Sequence, residues 1–429
     1  MVAAAKRSFK TLQDHAILGP AAILFLSANI ANAANLAFNM IFARILGPAL
    51  FADLTLLLTL KLGVLSFLGA LQFAFSEQSA KEKNIHASKI NAFALSWQSW
   101  KISIPIMFVV IASAGHVSSC LNFSSPWALA LLALAIPFFL PMVIYRGLTQ
   151  GLINIPKIVL SIQAEWVIRL VGSLLLWKLG LGLPGIALAV GLSIIAAFIL
   201  STDRQDWNSR NAALNPKNAV NAKALSAVAL PYLILQTAQV LILDSDILIA
   251  KACFSAETAG LVAGLLLIQR IFFFAFLSCS TILQPYVAKQ TGAPRTPKDL
   301  LALLIGIGTI TVTALTVIIP NSNLVVTLML GEEYTELSSI VWIGALTGAV
   351  FIISHLCAIC QIARGQKRAA QIVLGFGILQ LISLSAINHV FAGMGLHSYF
   401  MIKLMIQTAC ALCLLGLILW PQKKRLAYL

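Results

Sequence analysis

The chain has 429 residues, 60% of them hydrophobic and only 10% charged, and a mean hydropathy of +0.93. Soluble domains carry about 25% charged residues, so this composition excludes a water-soluble protein and calls for many membrane-spanning helices. The net charge of +15 would fit a nucleic-acid binder, but Lys and Arg stand in short clusters between apolar runs, the pattern that sets membrane topology, and no nucleic-acid partner is expected.

Twelve apolar runs, 17–42, 51–75, 97–115, 126–145, 157–177, 183–201, 226–250, 257–288, 301–320, 338–362, 369–391 and 396–420, approach or exceed the roughly 20 residues needed to cross a bilayer. Lys6, Arg7 and Lys10 precede the first, which contains Ala31-Asn32-Ala33 and so has the outline of a signal peptide. That run continues to Phe42, well past the about 7–15 residues of a signal core, and is read as an uncleaved span. With the N-terminus in the cytoplasm, 22 of the 29 Lys and Arg fall in inner segments, among them Arg146, and only Arg44, Lys178 and Lys251 fall outside. Both termini are therefore expected to be cytoplasmic.

The longest polar stretch, 201–224, separates residues 1–200 from residues 225–429, each with six spans starting inside. A second copy would repeat the first in parallel. The predicted fold is an all-α polytopic membrane protein, twelve transmembrane helices in two six-helix bundles related by pseudo-twofold symmetry, with Lys61 and Arg270 as approximate mates.

Within the spans lie charges that lipid rejects. A charge at mid-membrane costs about 2.5–3.5 kcal/mol on insertion scales, so Lys61, Arg169, Arg270 and Lys403 are expected to face a polar cavity or a partner. Lys403, seven residues from the outer end of its span, could instead snorkel. Asn29, Asn32, Asn35 and Asn39 share a face about 120° wide, fitting a wet cavity wall or interhelical hydrogen bonding. Glu165 and Arg169, at i,i+4, form either an ion pair that lowers its own insertion cost or a pair that also presents its arginine to the cavity. Gln236, Gln239 and Asp246 share one side of the seventh span, with Asp244 about 160° from Asp246, and Asp246 near Lys251 has the spacing of a surface pair. The seven Cys, including Cys357-x-x-Cys360 and Cys410-x-x-Cys413, read as packing residues, and no metal or cofactor is expected.

Several short motifs occur in a familiar order. Arg44-Ile-Leu-Gly-Pro followed by Phe51, Tyr145-Arg146-Gly147 with Gln150-Gly151, Asp246 with Lys251 and Ala259-Gly260, Pro285, and Leu330-Gly331-Glu332-Glu333-Tyr334 together resemble the polysaccharide flippases of the multidrug, oligosaccharidyl-lipid and polysaccharide exporter superfamily. The sequence departs from that pattern at Ala52, where the family commonly has Gly, and at Val262, where it has Tyr. The resemblance implies two six-helix bundles around a central cavity. It also implies movement of an undecaprenyl-diphosphate-linked sugar from the inner to the outer leaflet of the bacterial cytoplasmic membrane.

On that reading the partners are an anionic polyprenyl-linked glycan, membrane lipids, and H+ or Na+ as coupling ion. Arg270, Arg169, Lys61 and Lys403 would meet the pyrophosphate. Asn32, Asn35, Asn39 and Gln239 would meet sugar hydroxyls, and Asp246, Glu165 and Asp244 would serve ion coupling. Two alternatives stand beside it. A multidrug cation antiporter of the same superfamily would want an acidic cavity. A membrane glycosyltransferase or polysaccharide polymerase would need reactive groups gathered in a sizeable loop, and the only sizeable outer segment rich in carboxylates, Asn321 to Glu336, has neither His nor Arg.

Overall fold

The computed structural model describes residues 2–82, 84–202, 222–289, 298–364, 366, 368–390 and 395–419. Most of the polar linker 201–224 lies outside them, as do the basic residues Arg204, Arg210, Lys217, Arg295, Lys367, Lys423, Lys424 and Arg425. The described residues form thirteen α-helices and one 3-10 helix, with no strand among them.

Helix α1 (Val2–Lys81) is far too long for one crossing and is broken at Gly47, whose φ of 68° and ψ of 173° interrupt the helical path. Two predicted spans thus join across a single left-handed residue instead of a loop, which glycine alone accepts without a Cβ penalty. α2 (Ile85–Cys120) follows. Predicted span 126–145 is two pieces, α3 (Pro126–Ala133) and α4 (Ile136–Gly151), meeting at a 42° bend with a proline in the first turn of each. α5 (Ile155–Lys178), α6 (Gly182–Ser201), α7 (Ala222–Cys253), α8 (Ala256–Lys289) and α9 (Lys298–Ile318) come next. The acidic segment 321–336 contributes α10 (Ser322–Met329) and most of the 3-10 helix Glu332–Ser339, followed by α11 (Val341–Ala363), α12 (Arg368–Val390) and α13 (Leu396–Leu419).

Among the described residues ten helices are long and apolar enough to span, with the α3–α4 pair an eleventh; α1, counted once, supplies two crossings around Gly47. The protein is a multi-pass, all-helical membrane protein.

The chain divides into two compact units. One gathers Met1–Asn35, Leu68–Gly115 and Ser125–Ala229; the other gathers Leu36–Phe67, His116–Ser124 and Leu230–Leu429. In the first, small residues set the spacing. A Cβ on Gly147 would sit 2.8 Å from the carbonyl oxygen of Gln72, and one on Gly151 would sit 2.5 Å from that of Ser76, so α4 lies directly on the 72–80 stretch of α1. α5 and α6 close up in the same way, at Gly172 against Ala189. The second unit has an apolar core in which Phe273 stacks on Phe351 at 5.2 Å, with Cys357, Cys360 and Cys410 buried in the same cluster. His355 packs edge-on against Phe273 within it.

Candidate functional site

Each unit holds a cluster of charges inside its helices. In the first unit, Gly147 and Gly151 hold α4 against α1, so the intervening residues of the same motif face α5 and α1. Gln150 accepts a hydrogen bond from Gln72 at 3.2 Å. Arg146 donates to the Ser161 hydroxyl at 3.0 Å and pairs with Glu165 at 3.0 Å. Glu165 is also 3.9 Å from Arg169, one turn on along α5, and Arg169 donates to Asn35 Oδ1 at 2.5 Å. One carboxylate therefore serves two guanidiniums. Arg146 and Glu165 are partly open, at exposures of 11% and 14%, while Arg169 is buried.

Sequence reasoning placed Arg146 in an inner segment as a topogenic charge. It is instead the main partner of Glu165, a role hidden because it stands near the end of a span. The Glu165–Arg169 pair exists but is the looser of the two contacts. Asn29 and Asn32 lie half-buried on the same part of α1 as Asn35, and Gln163 of α5 donates to Ser27 there at 2.7 Å. Asn39 is half-buried and belongs to the other unit.

In the second unit, α7 splits its two aspartates. Two residues of helix turn the chain by about 200°, so Asp244 and Asp246 project to opposite sides and meet different helices. Asp244 accepts from Arg270 Nε of α8 at 2.9 Å, and Arg270 Nη2 pairs with the same oxygen and donates to Thr59 of α1 at 2.8 Å. Asp246 pairs with Lys403 of α13 and accepts from the Tyr399 hydroxyl at 3.1 Å. Lys403 also donates to Gln269 Oε1 at 2.7 Å and lies 5.8 Å from the Phe400 ring centre. Asp246 and Lys403 are both 0% exposed.

Two sequence expectations are corrected here. Lys403 does not snorkel, because Asp246 and Gln269 hold it inside. Asp246 and Lys251 do not form a surface pair, because Lys251 is buried on Asp53 at 2.6 Å and on the Asn122 carbonyl oxygen at 2.6 Å. Ser124 N–H donates to the same Asp53 at 2.9 Å, so one carboxylate ties the ends of α1, the 121–125 turn and α7. Lys61 and Gln239 are buried in this unit. One turn along α13 from Lys403, Gln407 donates to Gln380, which donates to the Ile242 carbonyl oxygen. Asp53, Gln269 and Tyr399 were not singled out from the sequence, since nothing local marks a buried Gln or Tyr as a charge partner.

A third set of contacts explains the outer motifs. Arg44 donates to the carbonyl oxygens of Thr327 and Leu328 at the C-terminal end of α10, the negative pole of a helix. Glu333 lies against Gly47, Phe51 meets Tyr334 edge-on at 6.2 Å, and Gly260 is pressed on the Pro48 carbonyl. Burial, followed by the neighbouring Glu333, pushes the Tyr334 phenol above its ordinary value. Three motifs distant in sequence thus form one knot, which positions elements and brings Arg44, Glu332, Glu333 and Tyr334 around one cavity. Among the described residues, no group of three or more His, Cys, Asp or Glu could hold a metal.

No family model and no curated protein matches the chain by sequence. Solved structures do match in fold. A multidrug resistance MATE family transporter of the MOP superfamily, in an inward-facing conformation, aligns over 90% of this chain and 93% of its own with a TM-score of 0.77 and 13% identity. A eukaryotic MATE transporter covers 93% of each chain with a TM-score of 0.67 and 15% identity. A MOP superfamily transporter from Pyrococcus furiosus, described as having a binding pocket of reverse polarity that suggests a different function, covers 94% of this chain and 96% of its own with a TM-score of 0.66 and 13% identity. The chain has the MATE-like fold of MOP superfamily transporters.

Proposed function

We propose that this chain is a secondary transporter that moves an undecaprenyl-diphosphate-linked oligosaccharide from the inner to the outer leaflet of the bacterial cytoplasmic membrane, both termini cytoplasmic, for surface polysaccharide synthesis. The observation that carries this reading is the triad of Arg146, Glu165 and Arg169, in which two planar guanidiniums share one carboxylate. Two positive charges on one carboxylate suit a pyrophosphate, which guanidinium forks bind in bidentate fashion. Asn32, Asn35 and Asn39 supply carboxamides for sugar hydroxyls, with Gln239, Lys61 and Arg270 as further contacts. The six-span halves, 1–200 and 225–429, would rock in alternating access. The ordered motifs of the flippase resemblance support the same cargo.

A second reading, a multidrug cation antiporter, has the similar structures in its favour, since the transporter with the TM-score of 0.77 bears that description. The comparisons alone support it at least as well as the flippase. At 13% identity they extend to fold and not to cargo. The Pyrococcus furiosus transporter described as reversing the polarity of its binding pocket supports the view that one fold takes cargoes of opposite charge.

Deletion of the gene in its host separates the two. Loss of surface glycan with unchanged sensitivity to cationic dyes is the expected result. Intact glycan with raised dye sensitivity would transfer the conclusion to the antiporter.

A further inference from the structure

The Asp246 cluster has the composition of a monovalent cation shell whose centre is already filled from within the chain. Asp246 places Oδ2 on Lys403 Nζ, while its Oδ1 accepts from the Tyr399 hydroxyl at 3.1 Å, which fixes the carboxylate in that orientation. Gln269 turns its oxygen to the same ammonium at 2.7 Å and leaves its own Nε2 without a protein partner, although the residue is completely buried. A carboxamide oriented by packing alone would be expected to satisfy its donor; this one places oxygen on the cation and forgoes that bond. The Phe400 ring, 5.8 Å away, adds a π face. Asp246, Gln269 and Phe400 each offer the centre an electron-rich group, and Tyr399 orients the carboxylate.

We propose that the Lys403 ammonium is a tethered substitute for a free monovalent cation at Asp246, so that the wild-type transporter binds neither Na+ nor K+ there. The role deepens the transporter reading, on which it rests for its importance, and it takes Lys403 away from the cargo and gives it to coupling. A tethered cation cannot be exchanged between the two sides of the membrane, so any ion coupling through Asp246 is left to the proton. Removing the side chain should uncover the shell: Lys403→Ala leaves an anionic, oxygen-lined space into which a hydrated Na+ or K+ can enter.

The test uses the purified full-length protein in detergent, with Tm measured in NaCl, KCl and choline chloride at equal ionic strength. Wild type should give one Tm in all three salts. Lys403→Ala and Lys403→Gln should each show a Tm that rises with the logarithm of Na+ or K+ concentration relative to choline, as expected when a ligand binds only the folded state. Adding Asp246→Asn to Lys403→Ala should abolish that rise. The proposal is overturned if wild type is stabilised by Na+ or K+ as steeply as the variants, if both variants fold with the same Tm in every salt, or if the rise survives Asp246→Asn. Failure of both variants to fold in any salt contradicts it too, because a shell that accepts a free cation would be refilled by one. The readout is cation binding, so such a result leaves the transporter reading standing; that reading fails separately if purified wild type moves no substrate across a liposome membrane.

Discussion

The two charge clusters use the same residue types for different ends. In the first unit, Arg146 and Glu165 are partly open while Arg169 is buried, two positive charges stand on one carboxylate, and Asn35 accepts from Arg169. In the second, Asp246 and Lys403 are sealed at 0% exposure and balance one to one, with Tyr399 and Gln269 completing their hydrogen bonds. Desolvating a matched pair is tolerable only when the donors and acceptors on the pair itself are arranged, and here Gln269 Nε2 alone of the groups just named is left over. Leaving a surplus charge makes sense only where something else will meet it. On the proposed function, the sealed cluster belongs to the protein's own mechanics and the more open one to the cargo.

The largest effect should come from breaking the sealed pair. Asp246→Asn leaves Lys403 buried without its counter-charge and should cost about 3–5 kcal/mol, read as a fall in the thermal midpoint or as loss of folded protein. The double variant Asp246→Asn with Lys403→Gln should recover most of it. Gly151→Ala tests whether α4 is placed by contact with α1. Its Cβ would fall 2.5 Å from the Ser76 carbonyl oxygen, and a cost near 3 kcal/mol is expected in the same measurement, with displacement of Arg146.

Glu165→Gln should be milder, about 2 kcal/mol, because Arg146 remains partly open although Arg169 is buried; the loss should shrink as salt is raised, whereas that of Asp246→Asn should not. Arg169→Ala should be smaller, about 1 kcal/mol, because Glu165 keeps its closer partner Arg146, yet it should lower transport at least tenfold. Equal stability losses for Asp246→Asn and Arg169→Ala would erase the distinction between the clusters.

Much of this was legible in the sequence, for a physical reason. Lipid penalises any charge, so Glu165, Arg169, Asp244, Asp246, Arg270 and Lys403 stand out against their apolar surroundings without reference to structure. Their partners do not. Lys403 and Asp246 are 157 positions apart and meet only through packing of α13 on α7, and neither hydropathy nor helical period reports that. Arg146 reads as topogenic because a basic residue near the end of a span looks so whether or not a carboxylate awaits it, and Lys251 reads as a surface partner of Asp246 because its true partner, Asp53, is remote in sequence. The Gly47 break was visible as Gly-Pro but was read as a loop, since sequence cannot tell one left-handed residue from several irregular ones. The glycines of the Tyr145 to Gly151 motif gave no hint of their role until the backbone of α1 was seen against them.

The central claim is that the surplus of arginine in the first unit selects an anionic cargo. Wild type and Arg169→Ala should be reconstituted into proteoliposomes and assayed with a fluorescent polyprenyl-diphosphate sugar and a cationic dye. The account predicts that wild type moves the diphosphate lipid and not the dye, and that Arg169→Ala, equally folded, moves the lipid at least tenfold more slowly. Movement of the dye by wild type, with no movement of the diphosphate lipid, would contradict it.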